Sequence, residues 1–149
     1  MILNIKKKFI AMKKYNKTIS HYVTEKNVIK NYGHWVLALR PSQLTCYSLM
    51  LFADSDAELF SELDTNSLND LGNIFSDIEL CIKLISQPIK FNYHSLMLVD
   101  PHVHFHIFPR FEDQDLDSYW PNIVDLHGKV IVSEIAMADR LKKLKGVFL

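Results

Sequence analysis

Three of the seven histidines stand at alternate positions of one short apolar segment, "HVHFH", residues 102–106. Side chains along a β-strand alternate between its two faces, so His102, His104 and His106 would share one face. Val103 and Phe105 would share the opposite face, which is apolar enough to pack on a helix. The spacing therefore predicts a strand with one core face and one face of imidazoles.

A face with three imidazoles has three interpretations. Neutral imidazole is a nucleophile and a general acid or base, because its reference pKa is about 6.5, and neighbouring imidazoles can bind phosphate oxygens while one attacks phosphorus. A His-x-His pair can instead supply two ligands of a zinc site, with a third ligand from elsewhere in the chain. The histidines can also simply occupy a half-exposed sheet face. Strict alternation of three disfavours this last interpretation, because solvated strand positions have no need of three imidazoles.

The run "HVHFHIF" matches the pattern His-φ-His-φ-His-φ-φ, where φ is apolar, and on this motif the chain resembles the histidine-triad (HIT) superfamily of nucleotide hydrolases and transferases. The longer stretch "FNYHSLMLVDPHVHFHIFPRF" is similar to the two terminal strands of bacterial HIT proteins. Upstream, "LALRPSQLTCYSLMLFADSDAELFSEL" resembles the segment that crosses the sheet and leads to the long helix. The resemblance covers roughly residues 30–125, and the triad motif is its specific part.

The resemblance implies that His104 attacks the α-phosphorus of a purine nucleoside 5′-phosphate derivative. A covalent nucleotidyl-histidine would form, and water would then release the nucleoside monophosphate. His102 would line the site beside the nucleophile, and His106 would contact phosphate oxygens or help the leaving group. The implied substrates are phosphoramidates, mixed adenylates and dinucleoside polyphosphates. This chemistry requires no cofactor, although Mg²⁺ can bind the chain of a polyphosphate substrate.

Three further residues are predicted to bind the substrate. Arg40 falls near the place where many relatives have an asparagine that contacts ribose or phosphate, and a guanidinium can bind phosphate in a bidentate manner. Asn92 opens the strand before the triad, and Arg110 follows the triad strand and could neutralise a polyphosphate. His94 shares a strand face with Asn92 but is interpreted as structural.

The chain departs from the family pattern at two places. Many HIT enzymes have Gly-Gln-Ser/Thr or Gly-Asn just before the triad, whereas this chain has the stretch "MLVD", residues 97–100, and Asp100 would repel a phosphate if it pointed inward. Asp56 stands where a fourth histidine often occurs. These departures leave the nucleophile intact, but they favour either a slow, specialised enzyme or a nucleotide-binding or sensing protein with little turnover.

The hydrophobic pattern predicts the elements that position these residues. Strands are expected at 35–39, 47–53, 90–98 and 102–109, and a long helix at 68–85 with Thr65 or Asn66 as its cap. A C-terminal helix would begin at Ser133, with Ile135, Ala138, Leu141 and Leu144 on one side. Together with the resemblance, this predicts an α+β, HIT-like fold with an antiparallel sheet of about five strands, one long helix across a face and a C-terminal helix.

The tryptophans offer two interpretations. Trp35 and Trp120 could stack on a nucleobase, but an apolar tryptophan in a strand is more often part of the core. Trp35 is therefore expected in the core, and the role of Trp120 is left open.

Composition limits the function classes. The chain has 149 residues, with 17 basic and 17 acidic side chains, so its net charge gives no indication of nucleic-acid or membrane binding. Residues 1–17 are predicted to form a basic N-terminal extension, either disordered or upstream of an alternative start at Met12, with a weak membrane-surface anchor as the less favoured interpretation. Residues 18–149 would form a single HIT-like domain.

Cys46 and Cys81 lack metal or redox spacing and indicate a reducing, cytoplasmic location. By resemblance, a homodimer is expected.

Overall fold

The computed structural model describes residues 23–98, 100–113 and 130–149. Within these ranges the chain forms β1 (Val28–Asn31), β2 (Trp35–Leu39), β3 (Leu49–Ala53), α1 (Thr65–Ile85), β4 (Lys90–His94), β5 (His104–Arg110) and α2 (Glu134–Val147). A short 3-10 helix, Phe60–Glu62, precedes α1. The predicted α+β class is confirmed, with a five-stranded antiparallel sheet, one long helix and a C-terminal helix.

The strands lie in the order β1-β2-β3-β5-β4, and every neighbouring pair is antiparallel. Strand β5 is therefore an inner strand, hydrogen-bonded to β3 on one side and to β4 on the other. Across these pairs His104 lies opposite Phe52, and His106 lies between Met50 and His94. Side-chain alternation then gives these five residues one common face of the sheet.

The opposite face of the sheet carries the main core, and α1 packs on it. The indole N–H of Trp35 donates a hydrogen bond of 2.8 Å to the carbonyl oxygen of Ser67 in the first turn of α1. Trp35 is thus a core residue, as expected. The fully buried members of this layer come from three strands, the segment before β5 and both helices: Trp35, Leu37, Leu39, Leu49, Leu51, Val103, Ile107, Ile74, Ile78, Ile82 and Leu144.

Helix α1 begins one residue earlier than the predicted caps imply. The side chain of Asp64 accepts a hydrogen bond of 2.7 Å from the backbone N–H of Ser67, which makes Asp64 the N-cap. The predicted caps, Thr65 and Asn66, are therefore wrong, because both already lie inside the first turn. The helix ends at Ile85, and Ser86 and Pro88 follow it.

Three predicted strands are longer than the observed ones. The strand predicted from Tyr47 begins at Leu49, because Tyr47 has a φ of 62° and cannot continue an extended ladder. The strand predicted at 90–98 ends at His94, and the strand predicted at 102–109 begins at His104 and ends at Arg110. Before His104, the backbone N–H of Val103 donates to the carbonyl oxygen of Ala57 instead of to β4.

Helix α2 begins after the predicted Ser133 cap, whose side chain accepts a hydrogen bond from the N–H of Ala136. Its predicted buried side is wrong in the first half of the helix. Ile135 is 83% exposed and Ala138 is exposed, whereas Leu144 is fully buried. The reason is that the core-facing side of α2 consists of Met137, Leu141, Leu144 and Phe148, so it includes Leu141 and Leu144 of the predicted side but not Ile135 or Ala138. None of the described helices is both long and apolar enough to cross a bilayer.

This difference between the two ends of α2 gives a stability test. We expect Leu144→Ala to lower the free energy of unfolding by about 2–5 kcal/mol, because it leaves a cavity in the core. Ile135→Ala should change it by less than about 0.5 kcal/mol, because the side chain is already in solvent. Urea unfolding followed by circular dichroism measures both. Equal losses in the two variants would show that the whole predicted side is buried.

Candidate active site

The histidine face of β5 is built as the alternation predicts. The side chains of His102, His104 and His106 are 0%, 2% and 4% exposed. His102 lies two residues before β5, but its ring packs 6.4 Å from the ring of Phe52, on the same side of the sheet as the other two. The structure therefore brings the three predicted catalytic residues together.

Hydrogen bonds assign the ring protons of His104 and His106. Nδ1 of His104 lies 2.6 Å from the carbonyl oxygen of His102, and a carbonyl can only accept, so Nδ1 carries the proton. In a neutral ring, Nε2 of His104 then has the lone pair. This atom lies 3.0 Å from Nε2 of His106, which must therefore be the donor of that bond. The nucleophilic nitrogen expected of His104 is thus Nε2, with an N–H of His106 directed at it.

His102 is fixed from two sides. Its Nε2 lies 2.8 Å from the carbonyl oxygen of Ala53, at the end of β3, and so is protonated. Its backbone N–H donates to Oδ1 of Asp100 at 3.0 Å. Asp100 is buried and holds the backbone just before the strand. Burial lowers the pKa of His102, while the Ala53 hydrogen bond and the Asp100 carboxylate raise it by less, so the neutral imidazole is favoured.

Aromatic rings pack against the imidazoles of His104 and His106 from either end. The ring of Phe52 stacks on His104 at 5.7 Å between centroids, and Phe108 stacks on His106 at 6.2 Å. His104 and His106 meet edge to face at 4.7 Å and 88°. Because the rings pack against one another in this row, the side-chain torsions of both histidines are restricted and the 3.0 Å contact is preorganised.

Comparisons with solved structures place this arrangement in a known fold. A histidine triad protein of Bradyrhizobium japonicum superposes with a TM-score of 0.71 at 17% identity, over 90% of this chain and 96% of that chain. A histidine triad (HIT) protein of Sinorhizobium meliloti gives 0.66 at 18% identity, over 87% and 98%. A hypothetical histidine triad nucleotide-binding protein of Sulfolobus tokodaii gives 0.64 at 14% identity, over 82% and 83%. The chain has the histidine-triad fold. No protein-family model matches the sequence, and no curated protein resembles it at a significant level.

Within the histidine-triad fold, the predicted substrate-binding residues lie at different distances from the histidines. Arg40 is buried, with its guanidinium 5.4 Å from the centroid of the Phe108 ring and one N–H donated to the carbonyl oxygen of Ser42. Arg40 therefore contacts the β2–β3 loop and Phe108. Arg110 is at the far end of β5, about 13 Å along the strand from His106 at roughly 3.3 Å per residue.

Asn92 lies closer to the histidines. It is the register partner of Phe108 and shares the histidine face. Its buried side-chain Nδ2 makes no hydrogen bond within the described part of the chain. A buried donor without an acceptor is costly, and a ligand oxygen would satisfy it. Arg110 shares this face by alternation and also has a buried donor, Nε, without a hydrogen bond within the described part of the chain, but it lies farther from His106 than Phe108, the register partner of Asn92. Of these two residues, Asn92 is the nearer to the histidines.

The other residues singled out from the sequence have plainer positions. Asp56 is exposed, and its charge acts only weakly on His102. Trp35 lies on the helix side of the sheet, and Trp120 falls outside the described residues. In the described ranges, no group of three or more histidine, cysteine, aspartate or glutamate side chains has an arrangement suited to a metal ion.

The sequence interpretation treated His94 as structural, but the structure puts it at the site. It is the register partner of His106, and its ring meets Phe108 edge to face at 5.4 Å. The signal was present in the sequence, since His94 shares the alternation of Asn92. What the sequence lacks is the register that sets β4 against β5.

The lowered pKa of His102 predicts a pH dependence of stability. Because the folded pKa lies below the unfolded value of about 6.5, the unfolded chain binds the proton more readily, and stability is lost as pH falls below 6.5. We expect the urea midpoint to fall between about pH 7.5 and 5.5, and His102→Gln to reduce that fall. His94, whose pKa burial also lowers, should maintain a residual slope.

The matched control for this measurement is His34→Gln. His34 is a surface residue whose ring contacts Asp70 at 2.7 Å, so its removal should not flatten the pH profile. An unchanged slope in His102→Gln would mean that His102 takes up its proton equally well in both states.

Proposed function

We propose that the protein binds a purine nucleoside 5′-phosphate derivative on the histidine face and hydrolyses it at the α-phosphorus through a nucleotidyl-His104 intermediate. The observation that carries the proposal is the proton arrangement of the site. The His102 carbonyl holds the Nδ1 proton of His104, which leaves the lone pair on Nε2, and His106 lies 3.0 Å from that atom. A neutral imidazole with one nitrogen protonated and fixed is the form that attacks phosphorus.

The reaction has two balanced steps. In the first, Nε2 of His104 forms a bond to the α-phosphorus, the bond from phosphorus to the leaving group breaks, and that group leaves with the bonding electron pair and takes up a proton. In the second, water attacks the same phosphorus and loses a proton to solvent, which balances the proton that the leaving group took from solvent in the first step. The P–N bond breaks, and Nε2 regains its lone pair as the nucleoside monophosphate departs. The N–H of His106 donates to a phosphoryl oxygen, where negative charge accumulates in both steps.

The structural neighbours support the binding part of the proposal. One of them is described as a nucleotide-binding protein, with 14% sequence identity to this chain. Leaving-group and base preference are part of the proposal to be tested. For a polyphosphate substrate, Mg²⁺ bound to the phosphate chain would reduce its charge.

A second candidate function is nucleotide binding or sensing with little turnover. Two observations favour it. Of the described residues just before the triad, 97, 98 and 100, none brings a neutral side-chain donor to the site: Leu98 is exposed, Met97 accepts a hydrogen bond from Ser95, and Asp100 binds the backbone of His102. Losing one preorganised donor typically costs on the order of 10²–10³ in rate. The triad itself is also nearly closed to solvent.

The first test compares wild-type protein with His104→Ala. We expect wild type to release nucleoside monophosphate from at least one of adenosine phosphoramidate, guanosine phosphoramidate, a fluorogenic adenylate and diadenosine tetraphosphate, in EDTA. His104→Ala should lose at least about 10³-fold in kcat, because no other group replaces the nucleophile. Quenching in denaturant at alkaline pH, where the P–N bond of a nucleotidyl-histidine survives, followed by mass spectrometry should detect nucleotide attached to His104 in wild type alone.

Other outcomes separate the alternatives. Nucleotide binding without release in wild type would overturn the hydrolase and support the binding protein. Turnover that disappears in EDTA and returns with zinc would point to the metal interpretation of the His-x-His pair.

We also propose that the protein is a homodimer that uses α1. Leu80 and Leu84, one turn apart on this helix, are 63% and 74% exposed, and Ile89 after the helix is exposed too. Neighbouring apolar side chains of this size in solvent are typical of interfaces. Strand β4 is also an edge of the described sheet, so it offers backbone groups for pairing nearby.

The dimer can be tested by light scattering after size exclusion. We expect wild type to have twice the mass of one chain, and the double variant Leu80→Glu, Leu84→Glu to have the mass of one. Leu68→Glu is the control, since Leu68 is exposed on a different side of the same helix. A monomeric wild type would contradict the proposal.

The two cysteines support the prediction of a cytoplasmic location. Cys46 and Cys81 are both free thiols, and neither is paired in a disulfide. Free thiols persist in reducing compartments. The location remains a proposal, and fractionation of cells producing the protein would test it.

A further inference from the structure

His94 is a fourth imidazole next to the triad, on a different strand. It is the last residue of β4, its Cα is paired with that of His106, and its side chain lies on the same sheet face. Its ring edge packs on Phe108 at 5.4 Å and 85°, and Phe108 in turn stacks on His106. These two ring contacts fix His94 beside the imidazole that touches the nucleophile.

His94 also lies on the more accessible side of the triad. Toward β2 and β3, the histidine face is closed by four buried side chains, Val36, Ala38, Met50 and Phe52. On β4, by contrast, Asn92 and His94 are partly exposed. A ligand that reaches His106 without displacing the buried side chains therefore passes along β4 and meets these two residues first.

The same edge holds a polar group that needs an acceptor. The Nδ2 atom of Asn92 is buried and makes no hydrogen bond within the described ranges, and Asn92 is two residues before His94 on the same face. A phosphoryl oxygen has several lone pairs and would accept from two such donors at once. The described residues of the stretch before the triad bring no neutral side-chain donor to the site, whereas β4 brings Asn92 and His94.

We propose that His94 is a substrate-contacting residue, which donates an N–H hydrogen bond to a phosphoryl oxygen of the nucleotide held at His104 and His106, with Asn92 as its companion donor. This inference rests on the proposed function, because it needs a phosphoryl group at the histidines. Burial lowers the pKa of His94, so its ring is neutral near pH 7.5 and acts as a hydrogen-bond donor rather than a cation.

The test uses His94→Phe and His94→Gln in the full chain. Phenylalanine keeps an aromatic ring against Phe108 but removes the N–H, whereas glutamine restores a neutral N–H donor. We expect His94→Phe to weaken AMP binding, measured by calorimetry at pH 7.5, by about 10- to 100-fold, the range for a hydrogen bond to a charged group. His94→Gln should recover at least part of that loss. The control is His34→Phe. His34 lies just before β2 and contacts Asp70, so this variant should bind AMP as wild type does.

The possible outcomes distinguish a failure of the role proposed for His94 from a failure of the proposed hydrolase activity. Equal AMP affinity in wild type and His94→Phe would overturn the role of His94, even if wild type hydrolyses the substrate panel. AMP binding that depends on His94 in a protein without turnover would support His94 and overturn the hydrolase. No AMP binding in wild type would overturn both. If His94→Gln binds AMP no more tightly than His94→Phe, and both variants match wild type in urea unfolding, then the hydrogen bond from the His94 N–H does not contribute to AMP binding.

Discussion

The inner position of β5 is the constraint on which the rest of the structure depends. Because β5 is hydrogen-bonded to β3 on one side and to β4 on the other, its two faces are fixed by both ladders. A shift of register by one residue would turn His104 and His106 toward α1 and move Ile107 to the opposite face. Burial of Ile107 against the helix layer thus determines where the imidazoles point, and the core stabilises the geometry of the site.

Burial of three histidines destabilises the fold unless their ring N–H groups have hydrogen-bond acceptors. Unpaired polar groups in the interior cost about 1–3 kcal/mol each. Here the acceptors are the carbonyl oxygens of Ala53 and His102 and the lone pair of His104 Nε2. Since each donor is the only proton that a neutral ring carries, the same bonds that satisfy burial also select the tautomers. The stability of the site and its chemical form have one cause.

The sequence predicted most of this arrangement, and its errors have physical reasons. Alternation was enough to put His104 and His106 on one face and Trp35 in the core. The cap of α1 was missed because "DTNS", residues 64–67, offers four side chains that can cap, and only the backbone decides among them. The side chosen for α2 failed at Ile135 and Ala138 because more than one apolar stripe can be drawn on this helix, and only the packing shows that Met137 is the first-turn residue that meets the core. The pairing of His94 with His106 was not predicted, because register across β4 and β5 joins segments that are separated in sequence. Residues 1–17 and Trp120 lie outside the described residues, so the predictions made for them remain predictions.

The hydrogen bond between His106 and His104 has a consequence for how the proposed enzyme would be activated. In the structure, the lone pair of His104 Nε2 accepts the N–H of His106 and so cannot attack phosphorus while that bond lasts. A phosphoryl oxygen carries negative charge and is a stronger acceptor than a neutral imidazole nitrogen. In the proposed enzyme, transfer of the His106 hydrogen bond to the phosphate would release the lone pair of His104 as the phosphorus arrives. Binding and activation are then one event, and a ligand without an anionic oxygen at this position would leave the nucleophile masked.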